Sequence, residues 1–333
     1  AEWFGTRLGQ PIVVENKPGA GGMLGADIVA KARGDTHVVM ISSAASHGIG
    51  PVLYKDVPYD PLADFTHIHL VGTFPSVLAV NAASPVTSVK ELVELARAKP
   101  GEVTYGSGGN GTMNHLVGQL LVRETGVKFE HIPYRGSAPA MNDLLGGQIT
   151  ALMESLPTAI GHFTSRRMRP LAVSEAERAP ALPETPTFRE AGFPDVVATN
   201  WFGFSAPAGI PPEIARRWEA EIAAALQSAE IKGHFDRIGI RPGTLGPEAY
   251  TALIRSELAR WRRSSAPGIS ERTDCRLLGC VRAAFRHNRR RRKQSWHIRS
   301  AKRRRSAASA RPLTRAARPR APWRFSSRRA SLP

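Results

Sequence analysis

The chain has 333 residues, which is long enough for two domains that each bury a core. Its formal net charge of +18 is uneven. Residues 1–261 carry 23 basic and 26 acidic side chains, a net of −3, whereas residues 262–333 carry 23 and 2, a net of +21. The basic excess therefore gives no reason to expect nucleic-acid binding by the first 261 residues. No apolar run of about 18 residues is present, so no segment has the pattern of a membrane-spanning helix.

In chain order, the first 261 residues alternate predicted helices and strands. The opening pattern at residues 1–9 is helix-like with no cap before it, so we expect the chain to begin inside a domain. Ser88 and Glu91 have capping-box spacing, and Pro211-Pro212 begins the best amphipathic helix. The later predicted helices are residues 23–32, 89–98, 113–125, 139–145, 156–163, 211–227, a short one ending near 238, and 247–261.

The predicted strands are apolar or β-branched runs bounded by turn residues. They are residues 12–16, 36–41, 68–74, 76–81, 103–105, 127–132, 150–153, 169–173 and 201–206. Because helices alternate with these strands, we expect an α/β fold with largely parallel sheets.

Residues 103–115 read Val-Thr-Tyr-Gly-Ser-Gly-Gly-Asn-Gly-Thr-Met-Asn-His, a strand, a glycine-rich loop and the start of a helix. Glycines let the backbone approach a ligand closely, and the free N–H groups of the first helical turn favour negative charge. An anion site is predicted, with three alternatives: a phosphate cradle, a dinucleotide fingerprint and a carboxylate site. Residues 106–111 fit G-x-G-x-x-G, and Glu130 lies about 20 residues further on, so an NAD-type dinucleotide-binding enzyme is the alternative function.

The sequence gives little support for nucleotide hydrolysis, for a hydrolase nucleophile or for a metal site. No Gly-Lys-Ser/Thr follows the glycines, and no Gly-x-Ser-x-Gly nucleophile elbow occurs. His47, His115 and His131 come without a cysteine or a His-x-x-x-His spacing, so we expect no metal site. We therefore expect no catalytic residues and no cofactor, and a binding protein rather than an enzyme.

Several predicted strands end in loops with small or polar residues, and in parallel α/β sheets ligands bind at the carboxyl ends of strands. Residues 107–112, 134–136 and 154–155 would form one side of a cleft, and residues 42–47 the other. A carboxylate there would gain charge-assisted hydrogen bonds. The candidate ligand-binding residues are Ser42, Ser43, His47, Ser107, Gly108, Gly109, Gly111, Thr112, Tyr134, Gly136 and Glu154.

Six segments carry a resemblance to a known family. They are Gly-Gln-Pro-Ile-Val-Val-Glu-Asn-Lys-Pro-Gly-Ala-Gly-Gly at 9–22, Tyr-Asp-Pro-Leu-Ala-Asp-Phe at 59–65, Tyr-Gly-Ser-Gly-Gly-Asn-Gly-Thr at 105–112, Pro-Tyr-Arg-Gly at 133–136, Asp-Leu-Leu-Gly-Gly-Gln at 143–148, and Trp-Phe-Gly-Phe-Ser-Ala-Pro-Ala-Gly at 201–209. In these segments and their order, residues 1–261 resemble the substrate-binding proteins of tripartite tricarboxylate transporters, the Bordetella uptake gene family.

The resemblance implies an α/β, two-domain periplasmic-binding-protein-like fold with a hinged interdomain cleft. Domain 1 would comprise residues 1–102 and 198–261, and domain 2 residues 103–197. Members of the family deliver small carboxylates to the membrane components of a transporter. Two loops hold the carboxylate through backbone N–H groups, hydroxyls and ordered waters, and the second loop corresponds to residues 107–112. The resemblance thus implies a periplasmic location and a small carboxylate ligand, and we expect a monomer.

The chain departs from the family's pattern at both ends. The family's first strand and the loop after it are absent, so we expect an N-terminally truncated domain 1. Gly50-Pro51 stands where the family usually has Asn-Pro, and Arg262-Arg263-Ser264-Ser265 breaks the apolar pattern of the last helix. The chain is then either a working binding protein or a non-functional remnant, and we expect carboxylate binding only in a chain with the missing strand restored.

Residues 262–333 differ in composition from the rest. They hold 21 arginines, 2 lysines and both cysteines, Cys275 and Cys280. The cysteine-free remainder suits an oxidising compartment. We expect a disordered tail unrelated to the family. Translation of a GC-rich stretch in the wrong frame accounts for its arginine excess better than a nucleic-acid-binding arm does.

Overall fold

The computed structural model describes residues 1–264, with side chains as far as Arg262. The predicted tail from residue 265 onward, with both cysteines, lies outside the described residues. Residues 262–264 continue the last helix, which therefore ends three residues beyond its predicted end at Trp261. None of the helices within residues 1–264 is both long and apolar enough to cross a bilayer.

Helices and strands alternate through most of the described chain. The helices are α1 Glu2–Leu8, α2 Met23–Ala30, α3 Gly50–Leu53, α4 Val89–Ala98, α5 Met113–Thr125, α6 Ser137–Leu145, α7 Leu156–Thr164, α8 Pro212–Gln227, α9 Ala229–Ile238 and α10 Pro247–Ser264. The strands are β1 Met40–Ser43, β2 Phe65–Asn81, β3 Thr104–Ser107, β4 Glu130–Pro133, β5 Ala151–Ser155, β6 Met168–Val173, β7 Thr199–Pro207 and β8 Arg241–Pro242. A 3-10 turn at Ala20–Gly22 and a π-type turn at Ala44–Ile49 complete the set.

Strand β2 takes part in two sheets. Its first part, from Phe65 to Pro75, pairs with β7, which also pairs with β1. Its second part pairs with β5 and β6, and β3 then joins β5 to β4. The short β8 adds to β2 at Gly72 and Thr73. The α/β fold class is thus confirmed, with β2 as the element common to both sheets.

The expectation of largely parallel sheets was wrong. Among the described strand pairs, only β3–β4 and β3–β5 are parallel. All the pairs that β2 makes are antiparallel. Alternation of helices and strands along the sequence does not specify which strands become neighbours, and β2 lies between strands that run in the opposite direction.

Two strand predictions need correction for related reasons. Residues 68–74 and 76–81 form one strand, because Pro75 keeps an extended backbone and a partner, Thr199, in β7. Residues 12–16 form no strand, and Val13 and Val14 are 80% and 69% exposed. β-branched residues favour a strand only where a neighbouring strand supplies hydrogen bonds and packing, and no described strand pairs with this segment.

The helices cover both sheets and bury their apolar faces. Helix α4 is typical: Ser88 caps it by accepting a hydrogen bond from Glu91 N–H, and Val89, Leu92 and Val93 enter the largest core cluster. A second cluster lies around β5, α6 and α7, and includes Leu144 and Leu152. The predicted domain boundaries at residues 102 and 197 are not tested by this arrangement and stay a prediction.

Candidate ligand-binding site

The glycine loop, residues 107–112, connects β3 to α5. Thr112 caps α5: its hydroxyl accepts a hydrogen bond from His115 N–H at 3.2 Å and donates to the Gly109 carbonyl at 2.7 Å. Gly109 and Gly111 have φ values of +131° and +73°, which side chains other than glycine rarely adopt. The threonine cap and the two glycines together fix the loop at the N-terminus of a 13-residue helix.

Three helix N-termini come together beside this loop. Strands β4, β3 and β5 are parallel neighbours, so the helices that follow them, α6, α5 and α7, begin at the same sheet edge. The loops are packed closely, because a methyl group on Gly108 would lie 3.6 Å from the carbonyl carbon of Gly136 and 3.7 Å from Ser137 N. Helix N-termini carry partial positive charge and free N–H groups, so this edge favours an anion.

Glu154 lies at the end of β5, within this edge. Its Oε1 accepts hydrogen bonds from Ser155 N–H at 2.7 Å and from the Asn114 amide at 3.2 Å. Its Oε2 has no hydrogen-bond partner within the described residues, and the residue is only 1% exposed. Burial raises the pKa of the carboxyl, while Ser155 N–H and the Ser137 hydroxyl oppose that rise.

Two stacked histidines support the glycine loop from behind. The rings of His115 and His131 are 4.4 Å apart between centroids. Gly111 N–H donates to His115 Nδ1 at 3.3 Å, and His131 Nε2 lies 2.8 Å from the Ser107 hydroxyl. Burial lowers the pKa of His115 to about 4 and, together with the charge of His115, that of His131 to about 3. Both rings are therefore neutral at pH 7 and act as hydrogen-bonding partners of the loop.

The serine loop, residues 42–47, follows β1. Ser42 is fully buried, and its hydroxyl lies 2.7 Å from both the Ser205 and Tyr250 hydroxyls. Ser43 caps the next turn and exchanges hydrogen bonds with Ser46. His47 is fully buried, with Nδ1 2.9 Å from the Ser46 hydroxyl. Burial, followed by the charge of His67, lowers the pKa of His47 well below its ordinary value.

Segments from the first part of the chain contact the glycine loop directly. The Tyr54 hydroxyl donates to the Asn110 carbonyl at 3.1 Å. A methyl group on Gly21 would lie 3.5 Å from that carbonyl oxygen and 3.9 Å from Ala45 Cβ. Residues 20–22 therefore lie between the serine loop and the glycine loop. The structure brings the two predicted loops together through this glycine-rich turn.

The predicted site residues fall into two groups. The glycine-loop group and its neighbours lie at one edge: Ser107, Gly108, Gly109, Gly111, Thr112, Tyr134, Gly136 and Glu154. Ser42 and His47 are instead engaged inside the first sheet's core, and Ser43 is partly exposed. No observation tests ligand contact for any of them, so their roles stay predictions.

Sequence reasoning missed several residues at this edge. Asn114 contacts Glu154 and also accepts a hydrogen bond from the Ser76 hydroxyl at 2.6 Å. Ser137 begins α6 beside Gly108, and Tyr54 reaches the loop from a proline-rich stretch. The sequence did carry a signal for Asn114, because it is a polar residue in the first turn of α5, directly after the glycine loop. Tyr54 carried no local signal, because its role depends on a contact 56 residues away.

The dinucleotide alternative fails on geometry. In that fingerprint the acidic residue lies at the carboxyl end of the second strand, where it holds a ribose. Glu130 is instead the first residue of β4 and pairs with Thr104. Glu130 therefore lies three residues, about 10 Å, before the carboxyl end of β4, where the fingerprint requires the acidic residue. Within the described residues there is also no cluster of His, Cys, Asp and Glu that could hold a metal ion.

Two cavities within the described residues lie away from these loops. Each has a volume of about 490 Å³. One lies between α4 and β6 near Pro170, and the other between β2 and the start of α10 near His67. Neither is lined by a residue of the glycine loop. At Gly111, the space that a side chain would occupy is taken by Tyr54 and Leu53, 3.1 and 3.2 Å away.

An α/β chain with two sheets sharing one strand, and a glycine loop at converging helix N-termini, defines a solute-binding protein of the periplasmic-binding-protein class. The comparisons with known proteins support this class. MatC of Rhodopseudomonas palustris, solved with bound malate, superposes with a TM-score of 0.74 at 27% identity, covering 78% of this chain and 90% of that chain. An R. palustris protein solved with adipate superposes with a TM-score of 0.76 at 34% identity, covering 79% and 88%.

The chain belongs to the tripartite tricarboxylate transporter receptor family, whose model matches residues 1–265. Protein BugT of Bordetella pertussis is 36% identical over 255 residues, which is 76% of this chain and 78% of BugT. The family resemblance inferred from the sequence is thus confirmed. These relatives are receptors of transporters rather than enzymes, so the enzyme alternative has no support.

Proposed function

We propose that this protein binds a small carboxylate at the edge formed by the glycine loop and delivers it to the membrane components of a tripartite transporter. The observation that carries the proposal is the convergence of the N-termini of α5, α6 and α7 around the loop. A carboxylate placed there accepts hydrogen bonds from backbone N–H groups in a field of positive sign.

The residues divide into contacting and supporting roles. We assign ligand contact to the loop from Gly108 to Thr112, to Gly136 and to Ser137, because they surround the helix N-termini. Ser107 supports the loop, since it is fully buried and its hydroxyl is paired with His131. Ser42 and His47 support the first sheet, since the Ser42 hydroxyl and His47 Nδ1 are buried and hydrogen-bonded to protein partners. Ser43, which is partly exposed, is the serine-loop residue best placed to contact a ligand.

The proposal also covers where the protein works and how it is assembled. Structural neighbours include a periplasmic transporter protein and the periplasmic binding protein BugD, and we infer a periplasmic location for this protein. We also infer that it works as a monomer, with closure of two domains about β2 as its motion. The domains would be residues 1–102 with 198–261, and residues 103–197.

A binding experiment tests the proposal. Isothermal titration with succinate, malate, aspartate, adipate and citrate, alongside the nicotinamide dinucleotides, is carried out on this chain and on a chain extended by the family's first strand and loop. The extended chain should give heat for at least one carboxylate, and neither chain should give heat for a dinucleotide. A dinucleotide as the only ligand would overturn the proposal, and so would no binding of any carboxylate by the extended chain.

A further inference from the structure

The buried carboxyl of Glu154 has one oxygen that the protein does not use. Oε1 receives two hydrogen bonds, from Ser155 N–H and the Asn114 amide, whereas Oε2 receives none within the described residues. The Ser137 hydroxyl acts to lower the pKa of the carboxyl, but it makes no hydrogen bond of normal length to Oε2. Among the described ion pairs none involves Glu154, in contrast to the buried Glu175, which pairs with Arg241 at 3.0 Å. An unpaired acceptor in a site that excludes water costs free energy until a donor reaches it.

Glu154 is also adjacent to the proposed carboxylate position. Strands β3 and β5 are in parallel register at Tyr105–Ala151 and Gly106–Leu152. Continued by two residues, one past the end of β3 at Ser107, the same register would bring Gly108 level with Glu154. Neighbouring strands are about 4.8 Å apart. A ligand carboxylate held by the N–H groups of the glycine loop therefore has Oε2 within reach of substituents one or two carbons away.

We propose that Glu154 selects, among small carboxylates, those that carry a hydrogen-bond donor, a hydroxyl or an ammonium group, beside the carboxylate. The proposal rests on the proposed carboxylate-binding function of the same edge. The donor completes the coordination of Oε2. An ammonium group also favours the ionised carboxyl, against the burial that raises its pKa. A carboxylate that lacks the donor leaves Oε2 unpaired and is rejected.

Three four-carbon dicarboxylates test this selection, because they differ only at one carbon. Succinate carries hydrogen there, malate a hydroxyl and aspartate an ammonium group. Isothermal titration at pH 7.5 should show malate or aspartate binding about tenfold to a hundredfold more tightly than succinate, as expected for a hydrogen bond to a charged group. Equal affinities for all three would overturn the selection by Glu154 while leaving the carboxylate function standing. No binding of any carboxylate would overturn both.

The variant Glu154→Gln assigns the preference to this side chain. Its amide oxygen still accepts from Ser155 and Asn114, but an NH₂ group replaces Oε2 and faces the ligand. We expect the aspartate advantage over succinate to fall about tenfold or more, with succinate affinity little changed. A uniform loss for all three ligands would contradict the proposal.

A matched control and a second variant keep the result interpretable. Glu257→Gln alters another buried glutamate, which accepts a hydrogen bond from the Trp261 indole in α10, and should leave the ligand preference unchanged. If Glu154→Gln does not fold, Glu154→Asp withdraws the carboxyl by one carbon and keeps its charge. That variant should also lose the preference, and a retained preference would overturn the proposal.

Discussion

Gly111 is required for two reasons: its backbone conformation and the close approach of neighbouring side chains. Its φ of +73° lies in the left-handed region, and a methyl group there would be 3.1 Å from the Tyr54 ring and 3.2 Å from Leu53. Gly126, at the end of α5, has a similar φ of +65° but no atom within 4 Å of the position of such a methyl group. A side chain at Gly126 would therefore meet only backbone strain, whereas one at Gly111 would meet backbone strain and steric clash.

We expect Gly126→Ala to lower the free energy of unfolding by about 1–2 kcal/mol, the cost of a left-handed alanine. Gly111→Ala should cost about 1–3 kcal/mol more, because the methyl group also displaces Tyr54 or Leu53. Urea denaturation of both variants measures the difference. Equal losses would mean that the contact with Tyr54 contributes nothing.

The stacked histidines make stability depend on pH. The pKa values of His115 and His131, about 4 and about 3, lie below the ordinary value of 6.5, so the folded state favours the neutral rings. Their contribution is fully present above pH 6.5 and is lost as the pH falls toward 4 and 3. His131→Phe keeps an aromatic ring but cannot be protonated. Between pH 7 and pH 5 we expect its free energy of unfolding to fall by about 2 kcal/mol less than that of the original chain.

The measurement is urea denaturation at the two pH values. His47 and His67, whose pKa values burial also lowers, are present in both chains and cancel in the comparison. A pH dependence identical in the two chains would show that His131 is already protonated in the folded state at pH 5.

At the scale of single elements, the caps of two helices provide a test of the site. Thr112 caps α5 within the glycine loop, and Ser88 caps α4 far from it, each by accepting a hydrogen bond from the backbone three residues on at 3.2 Å. Replacing either by alanine should cost about 1 kcal/mol of stability. Only Thr112→Ala should also weaken carboxylate binding, because it releases the Gly109 carbonyl.

Titration calorimetry with the best carboxylate ligand, combined with thermal denaturation, checks this prediction. The stability losses serve as the internal control, since they should match. If Ser88→Ala weakened binding as much as Thr112→Ala, the loss would reflect global stability and not the glycine loop.

The helices were predictable because their signals are local. The predicted bounds of α4 and α5 match the structure, since a cap residue and a breaker mark each end within the sequence. Strands depend on partners that the sequence does not specify. Residues 12–16 have the composition of a strand and no neighbour, whereas β2 continues through Pro75 because β7 supplies one.

The same contrast applies to the site. The glycine loop was identified because glycines, a hydroxyl cap and the helix start are adjacent in sequence. Ser42 and His47 are also polar residues that follow a strand, yet both are fully buried, and the Ser42 hydroxyl and His47 Nδ1 have internal partners. Burial of a hydroxyl or imidazole is decided by packing against distant elements such as α10, whose Tyr250 reaches Ser42. Residue type alone cannot distinguish a ligand contact from a buried network.

At the scale of the whole molecule, the Tyr54 hydroxyl joins residues before β2 to the glycine loop after it. Tyr54→Phe removes this link, and we expect the ligand-free chain to become more open, with a larger radius of gyration by small-angle X-ray scattering. A hydrogen bond of about 1 kcal/mol shifts a two-state equilibrium roughly fivefold. Ligand should restore the compact form.

Tyr59→Phe is the matched control for this experiment. The Tyr59 hydroxyl donates to the Ser46 carbonyl at 2.6 Å, a contact within the first part of the chain. Its loss should leave the radius of gyration unchanged. If both variants scattered like the original chain, the proposed hinge motion would not be governed by the contact at Asn110.

Strand β2 has a consequence for how the molecule unfolds. Its 17 residues carry ladder hydrogen bonds on one side or the other from Phe65 to Asn81, and most of them are buried. Because β2 belongs to both sheets, we expect that neither sheet can unfold while β2 stays intact in the other. Amide protons in the middle of β2 should therefore exchange with deuterium only through global unfolding, so a chain built to open at a cleft would still melt as one cooperative unit.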